Sequence, residues 1–140
     1  MAADSLRASS PSRAFIPALV AGVGLLYALD IAGAVVAVRS GLNPTLLDAL
    51  GPTARLSAPI PMMIAQAILV LAAGGARAIA IPASLLLGNA CVLAFVSGFF
   101  DGAYAAHLTQ LQRVMQVSLV TAHLAVGVVA GLRAAALMRR

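Results

Sequence analysis

Four strongly polar side chains stand near the middle of four apolar stretches, one in each: Asp30, Gln66, Asn89 and His123. A carboxyl, two carboxamides and an imidazole can hold a proton, hydrogen-bond a small molecule or act as an acid and base. Polar groups within hydrocarbon turn towards a protein interior or a water-filled cavity, because a charged group facing lipid costs about 2.5–3.5 kcal/mol. At about 1.5 Å per residue, their heights agree within roughly two helical turns. The spacing therefore predicts one shared polar site.

Asp30 and His123 are the candidate catalytic residues, as an acid and base pair. An isolated carboxyl in apolar surroundings is expected to take up a proton, whereas a nearby imidazole would favour an ion pair. The functional interpretation is a proton-handling or cation-binding carboxyl. The alternative is that both groups are interhelical hydrogen bonds, worth about 0.6–2 kcal/mol each. The sequence leaves both interpretations open.

The last apolar stretch carries a polar stripe. Its members recur at helical spacings of i, i+3, i+7 and i+14: Thr109, Gln112, Gln116 and His123. Such spacings put side chains on one face of a helix, which would lead from the outer surface towards the membrane midplane. The predicted ligand-binding residues are the polar groups around that line and beside Asp30: Tyr27, Gln66, Asn89 and Gln116.

Small residues mark the faces expected to pack closely. Gly127 and Gly131 form a G-x-x-x-G pair, which permits close backbone approach and makes this face a candidate homodimer contact. On the third stretch, one face holds four residues and Asn89 lies on another: Ser84, Gly88, Cys91 and Phe95. On the first stretch, Asp30 shares its face with Gly22, Ala34 and Ala37.

The elements that must position these groups are long apolar helices. The stretches cover residues 14–38, 59–76, 78–100 and 114–138, and a bilayer core of about 30 Å needs about 20 apolar residues. Only 9% of the residues are charged, against about 25% in a soluble domain. The predicted fold is an all-α, integral membrane four-helix bundle over residues 14–140. Residues 1–13, polar and Ser-rich, are expected to be a disordered tail, and the first stretch is too long for a cleaved signal peptide.

The arginines predict the orientation of the bundle. One side of a four-span topology carries six of them, at Arg7, Arg13, Arg77, Arg133, Arg139 and Arg140, and the other side carries Arg39, Arg55 and Arg113. By the positive-inside rule, both termini are cytoplasmic. The net charge of +5 is explained by these arginines at helix ends, so it does not indicate nucleic-acid binding. Nucleic acid is not an expected partner. Cations that are all Arg, and anions that are all Asp, suggest a bacterial source and hence the inner (plasma) membrane.

The longest connection, residues 39–58, is predicted to contain a short interfacial helix. Asn43 would cap this helix, Gly51 and Pro52 would end it, and Leu46, Leu47 and Leu50 would face the lipid boundary. The last helix is expected to begin near Ala105, above the membrane.

Neither a metal nor another cofactor is expected. Asp101, Tyr104 and His107 cluster outside the third stretch, but a metal site needs three or more suitably placed ligands. The single cysteine, Cys91, excludes an intramolecular disulfide and is expected to behave as a small hydrophobe.

Three functions fit these features. The first is binding or transport of a small lipophilic or protonatable molecule in the intramembrane polar pocket, with a homodimer if transport occurs. The second is a membrane-embedded acid/base enzyme, such as an isomerase, a cyclase or an epoxide-opening catalyst. The third is an accessory or assembly subunit of a larger membrane complex, in which the polar residues are interhelical contacts.

Overall fold

The computed structural model of the chain describes residues 11–100 and 107–139, and the regular elements there are all helices. In chain order they are α1 (Pro11–Arg39), α2 (Leu46–Ala49), α3 (Ile60–Ala73), α4 (Arg77–Phe100) and α5 (Gln110–Met138). Three of them, α1 from Ala14 onwards, α4 and α5, are long and apolar enough to cross a membrane, and α3 is a shorter apolar helix. Of the expected tail, residues 1–10 lie outside the described residues. Residues 11–13 already belong to α1, which begins three residues before the predicted span.

The outer surface of the bundle is apolar along its length. Leu71 is 76% exposed, Leu93 67% and Phe100 83%, on helices whose inner faces are buried. Soluble monomers rarely expose contiguous apolar patches beyond a few hundred Å². This exterior and the lengths of the three long helices are those expected of a chain surrounded by lipid.

The helices form a ring of four around one core. α5 packs against α1 and α4, and α3 packs against the same two helices, so α3 and α5 face each other across the bundle. The α4–α5 contact depends on two glycines, since a Cβ added to Gly127 would lie 3.2 Å from the carbonyl oxygen of Gly88. Gly127 is thus used in a contact within the chain, and a homodimer contact at Gly127 and Gly131 stays a prediction. A Cβ on Gly131 would meet no described atom within 4 Å.

The second predicted span is shorter than its apolar stretch. α3 has 14 residues, about 21 Å of rise, whereas the sequence predicted a helix over residues 59–76. Pro59 precedes the helix in an extended conformation and Pro61 lies in its first turn, where a missing N–H is tolerated. Gly74 ends it. Before α3, residues 51–59 pack against the bundle in place of a further helical turn. They are called the buried loop here because Leu56, Ser57 and Ala58 are buried.

Two helix boundaries also differ from the prediction, each for a local reason. α2 has only four residues, and its N-cap is Thr45, whose side chain accepts from the backbone N–H of Asp48. The predicted cap, Asn43, instead donates its side-chain N–H to the carbonyl of Thr53 (3.0 Å). α5 begins at Gln110 and not near residue 105, because Thr109 and Gln112 form a capping box. An interfacial location for α2 stays a prediction.

The contact between α1 and the buried loop predicts the effect of a small substitution. A Cβ on Gly33 would overlap the carbonyl oxygen of Leu56, so Gly33→Ala must push the loop away from the helix. We expect a loss of about 1–3 kcal/mol, the usual range for overpacking, seen as a lower thermal midpoint in detergent by circular dichroism.

Gly24 provides the matched control on the same helix. A Cβ there would meet no described atom within 4 Å, so Gly24→Ala should keep or raise the midpoint through better helix propensity. Equal midpoints for the two variants would contradict the close packing of the loop on α1.

Candidate functional site

The buried loop is held against α1 by the first of the predicted catalytic residues. Asp30, fully buried, accepts a hydrogen bond at Oδ1 from the backbone N–H of Ala58 (2.6 Å). One helical turn further along, Gly33 leaves room for the carbonyl of Leu56. Ser57 Oγ donates to the carbonyl of Ala49 (2.5 Å), which ties the loop to α2. Asp30 therefore fixes a segment of non-helical backbone in place.

The helix that follows the loop, α3, is anchored by polar side chains of its neighbour α1 and of α5 across the core. The Tyr27 hydroxyl of α1 donates to the carbonyl of Met63, within the first turn of α3. At the other end, Arg133 of α5 donates through Nε to the carbonyl of Ala73 (3.0 Å) and also through Nη2. A cation suits the carbonyls at a helix C-terminus.

The role of Arg133 was missed by the sequence analysis, which assigned this residue to the cytoplasmic end by charge alone. Its side chain is only 4% exposed. The available signal was helical spacing, because Arg133 shares a helix face with the apolar residues Ala130 at i−3 and Leu137 at i+4, which are both buried. A buried arginine needs hydrogen-bond acceptors, and the end of α3 supplies one.

His123 joins α5 to the middle of α3. Its Nδ1 lies 2.9 Å from the carbonyl of Leu119 and must donate there, which leaves Nε2 of the neutral ring as an acceptor. Gln66 Nε2 lies 3.3 Å from that nitrogen and donates to it. These two predicted site residues, on helices that face each other across the core, are therefore brought together. Within the described residues, Gln66 Oε1 has no hydrogen-bond partner.

The predicted site residues do not all meet at one point. Among the described residues, the hydrogen bond of Asp30 goes to Ala58 and those of His123 go to Leu119 and Gln66, so the proposed acid and base are not bonded to each other. Asn89, expected to face the interior, is instead exposed on the outer face of α4. The inner face of that helix is occupied by the predicted stripe of Ser84, Gly88 and Cys91, all buried.

The outer part of the α5 stripe is used in structural contacts. Gln112 Oε1 accepts from the N–H of Thr109 (2.7 Å), and its Nε2 donates to Ser40 Oγ just after α1 (2.6 Å). One turn further in, Gln116 Nε2 donates to the carbonyl of Gly98 on α4 (2.9 Å). Gln112 and His123 are each 3% exposed and Gln116 is half-buried, so the stripe faces inwards from Gln112 onwards, whereas Thr109 is exposed.

A cleft of about 210 Å³ lies between the buried loop, α4 and α5. It is lined by residues 54–59 and Met62, by Ala94, Ser97 and Gly98 of α4, and by Gln116, Leu119, Val120 and His123 of α5. Of the predicted site residues, His123 and Gln116 line it, whereas Asp30, Tyr27, Gln66 and Asn89 do not. The cleft is larger than the roughly 150 Å³ cavity that holds benzene and smaller than the 300–1,000 Å³ pockets of drug-sized ligands.

The chemistry of the cleft is apolar with a few hydrogen-bonding groups. Gln116 uses one amide N–H for Gly98, and among the described residues its other amide N–H and its oxygen make no hydrogen bond. Ser57 and Ser97 add hydroxyl groups, and Arg55 places a positive charge on the loop side. Apolar walls with few polar groups are typical of small-molecule sites.

The cluster noted outside the third stretch is only partly described. Asp101 and Tyr104 lie outside the described residues, and His107, which precedes α5, is exposed.

Comparison of the chain with protein-family models, with curated proteins and with solved structures finds no match.

Proposed function

We propose that this chain is a multi-pass protein of the bacterial inner membrane that binds a small lipophilic molecule with one polar group in the cleft. Both termini are cytoplasmic in this proposal. The observation that carries it is the placement of His123 and Gln116 in the wall of an otherwise apolar cleft of about 210 Å³. A space of this size fits a one- or two-ring molecule or a short branched chain.

The hydrogen bonds around the cleft support separate roles for its residues. His123 is fixed at both ring nitrogens, so it presents a rigid ring edge to the ligand. Gln116 carries the available amide groups and is the residue proposed to bind the ligand's polar group. Arg55, on the rim, favours a polar group that is neutral or acidic.

Binding is favoured over acid/base catalysis by the position of Asp30. A catalytic acid and base must both reach the reacting atoms, and only His123 of the pair lines the cleft. Asp30 does not line the cleft. It accepts a hydrogen bond from the N–H of Ala58, and Ala58 lines the cleft. Asp30 is therefore proposed as a positioning residue that sets the place of the loop.

Substitutions of Asp30 separate the positioning role from a catalytic role. Asp30→Asn keeps a carbonyl oxygen that can accept from Ala58, so the thermal midpoint and ligand retention should stay near wild type. Asp30→Ala leaves that buried N–H without a partner and should lose about 1–3 kcal/mol of stability and the ligand. Thermal melting in detergent measures the first effect and ligand titration the second. Loss of ligand in Asp30→Asn with an unchanged midpoint would contradict the positioning role.

Filling the cleft should abolish binding without disturbing the fold. Ala94→Leu puts a larger side chain into the cleft, whereas Ala90→Leu, one turn earlier on α4, does not line it. Indole is a suitable probe because the chain has no Trp, so indole fluorescence reports the probe alone. We expect saturable indole binding to wild type and to Ala90→Leu in lipid nanodiscs. Ala94→Leu should bind at least about tenfold more weakly.

Native mass spectrometry of the protein released from nanodiscs provides a probe-free readout of the same site. A small-molecule mass retained by wild type and Ala90→Leu, and absent from Ala94→Leu, is the expected result. Empty nanodiscs give the indole background. Binding that Ala94→Leu leaves intact, or indole uptake equal to that of empty nanodiscs together with no retained mass, would overturn the proposal.

A further inference from the structure

Asn89 is a polar side chain placed where a bilayer would offer it no partner. It is the thirteenth of the 24 residues of α4 and lies on the exposed face. At 1.5 Å per residue, it is about 16–18 Å from either helix end, beyond the reach of so short a side chain. Within the described residues its carboxamide makes no hydrogen bond, whereas Gln66, Gln112 and Gln116 are all bonded.

The residues around Asn89 form a heptad seam on the same exposed face. Pro82, Asn89 and Val96 recur every seven residues, and Leu85, Val92 and Phe99 follow each of them by three. All six are exposed, with Leu85 and Val92 at 40% and Val96 at 43%. Sustained a and d positions are the pattern by which one helix packs along another. Asn89 is the only polar residue of this seam.

We propose that the seam is the interface with a second, parallel copy of this chain, in which the two Asn89 side chains hydrogen-bond to each other. A carboxamide carries both donor and acceptor groups, so two copies related by a two-fold axis satisfy one another. A single Asn at an a position fixes register and oligomeric state in helix pairs.

The second copy is parallel because the arginine bias gives every copy the same orientation in the membrane. Parallel helices bring identical heptad positions together. The seam contains no charged residue that would repel its copy, since the nearest cation on α4 is Arg77 at its first position. The open surface at Gly131 lies on α5 and is not part of this contact.

Energy transfer between labelled copies in liposomes tests the role of Asn89. The full chain, labelled through Ser5→Cys while Cys91 stays fully buried, is titrated over the protein-to-lipid ratio. Asn89→Leu should weaken association about 3- to 30-fold, and Asn89→Gln should keep most of it. Thr121→Leu, an exposed polar position on α5, is the matched control and should leave association unchanged.

Cysteine cross-linking in membranes tests the seam itself. Leu85→Cys and Val92→Cys should each form same-position disulfides, since interface residues of a parallel pair come within the 4.4–6.8 Å that a disulfide spans between Cα atoms. Leu71→Cys, exposed on α3, should not cross-link. A monomeric wild type, an Asn89→Leu variant that associates normally, or equal cross-linking from Leu71→Cys would overturn the proposal.

Discussion

The backbone of the buried loop needs hydrogen-bond partners inside an apolar bundle, and much of the arrangement follows from that need. Non-helical backbone at membrane depth is tolerated only where protein or a water-filled cavity surrounds it. Here the N–H of Ala58 donates a hydrogen bond to Asp30, and the carbonyl of Leu56 packs against Gly33, which has no side chain. The carboxyl that suggested chemistry in the sequence thus has a structural partner, the backbone N–H nine residues after the end of α2.

The cleft lies where the buried loop precedes the short helix α3. With only 14 residues, α3 leaves its outer side to the loop, and the loop does not fill all the space beside α4 and α5. The short helix is also held from across the bundle, because His123 reaches Gln66 at its middle and Arg133 reaches Ala73 at its end. The cleft and these polar contacts all involve the short α3 or the loop that precedes it.

The sequence was sufficient for features that depend on periodicity. The apolar stretches, the inward stripe from Gln112 to His123 and the packed face of Ser84, Gly88 and Cys91 could all be predicted from spacing alone. The burial of part of the connection before α3 could not, because this segment contains Thr53, Arg55 and Ser57 and has no periodic apolar pattern. The partner of Asp30 could not be predicted either, since it is a backbone N–H, a group that nearly every residue type carries.

The outward direction of Asn89 follows from the packing of α4 on α5. Gly88 and Gly127 approach so closely that a Cβ on either would lie 3.2–3.3 Å from the carbonyl oxygen of the other, and no carboxamide fits there. Asn89 follows Gly88 by one residue, which is a rotation of about 100° around the helix axis. When Gly88 packs against Gly127, the side chain of Asn89 therefore points out of the core. Polar residues in apolar stretches were expected to point inwards because lipid disfavours them. In this chain α4 must stay small where Gly88 meets α5, so the carboxamide lies on the outer face of the helix.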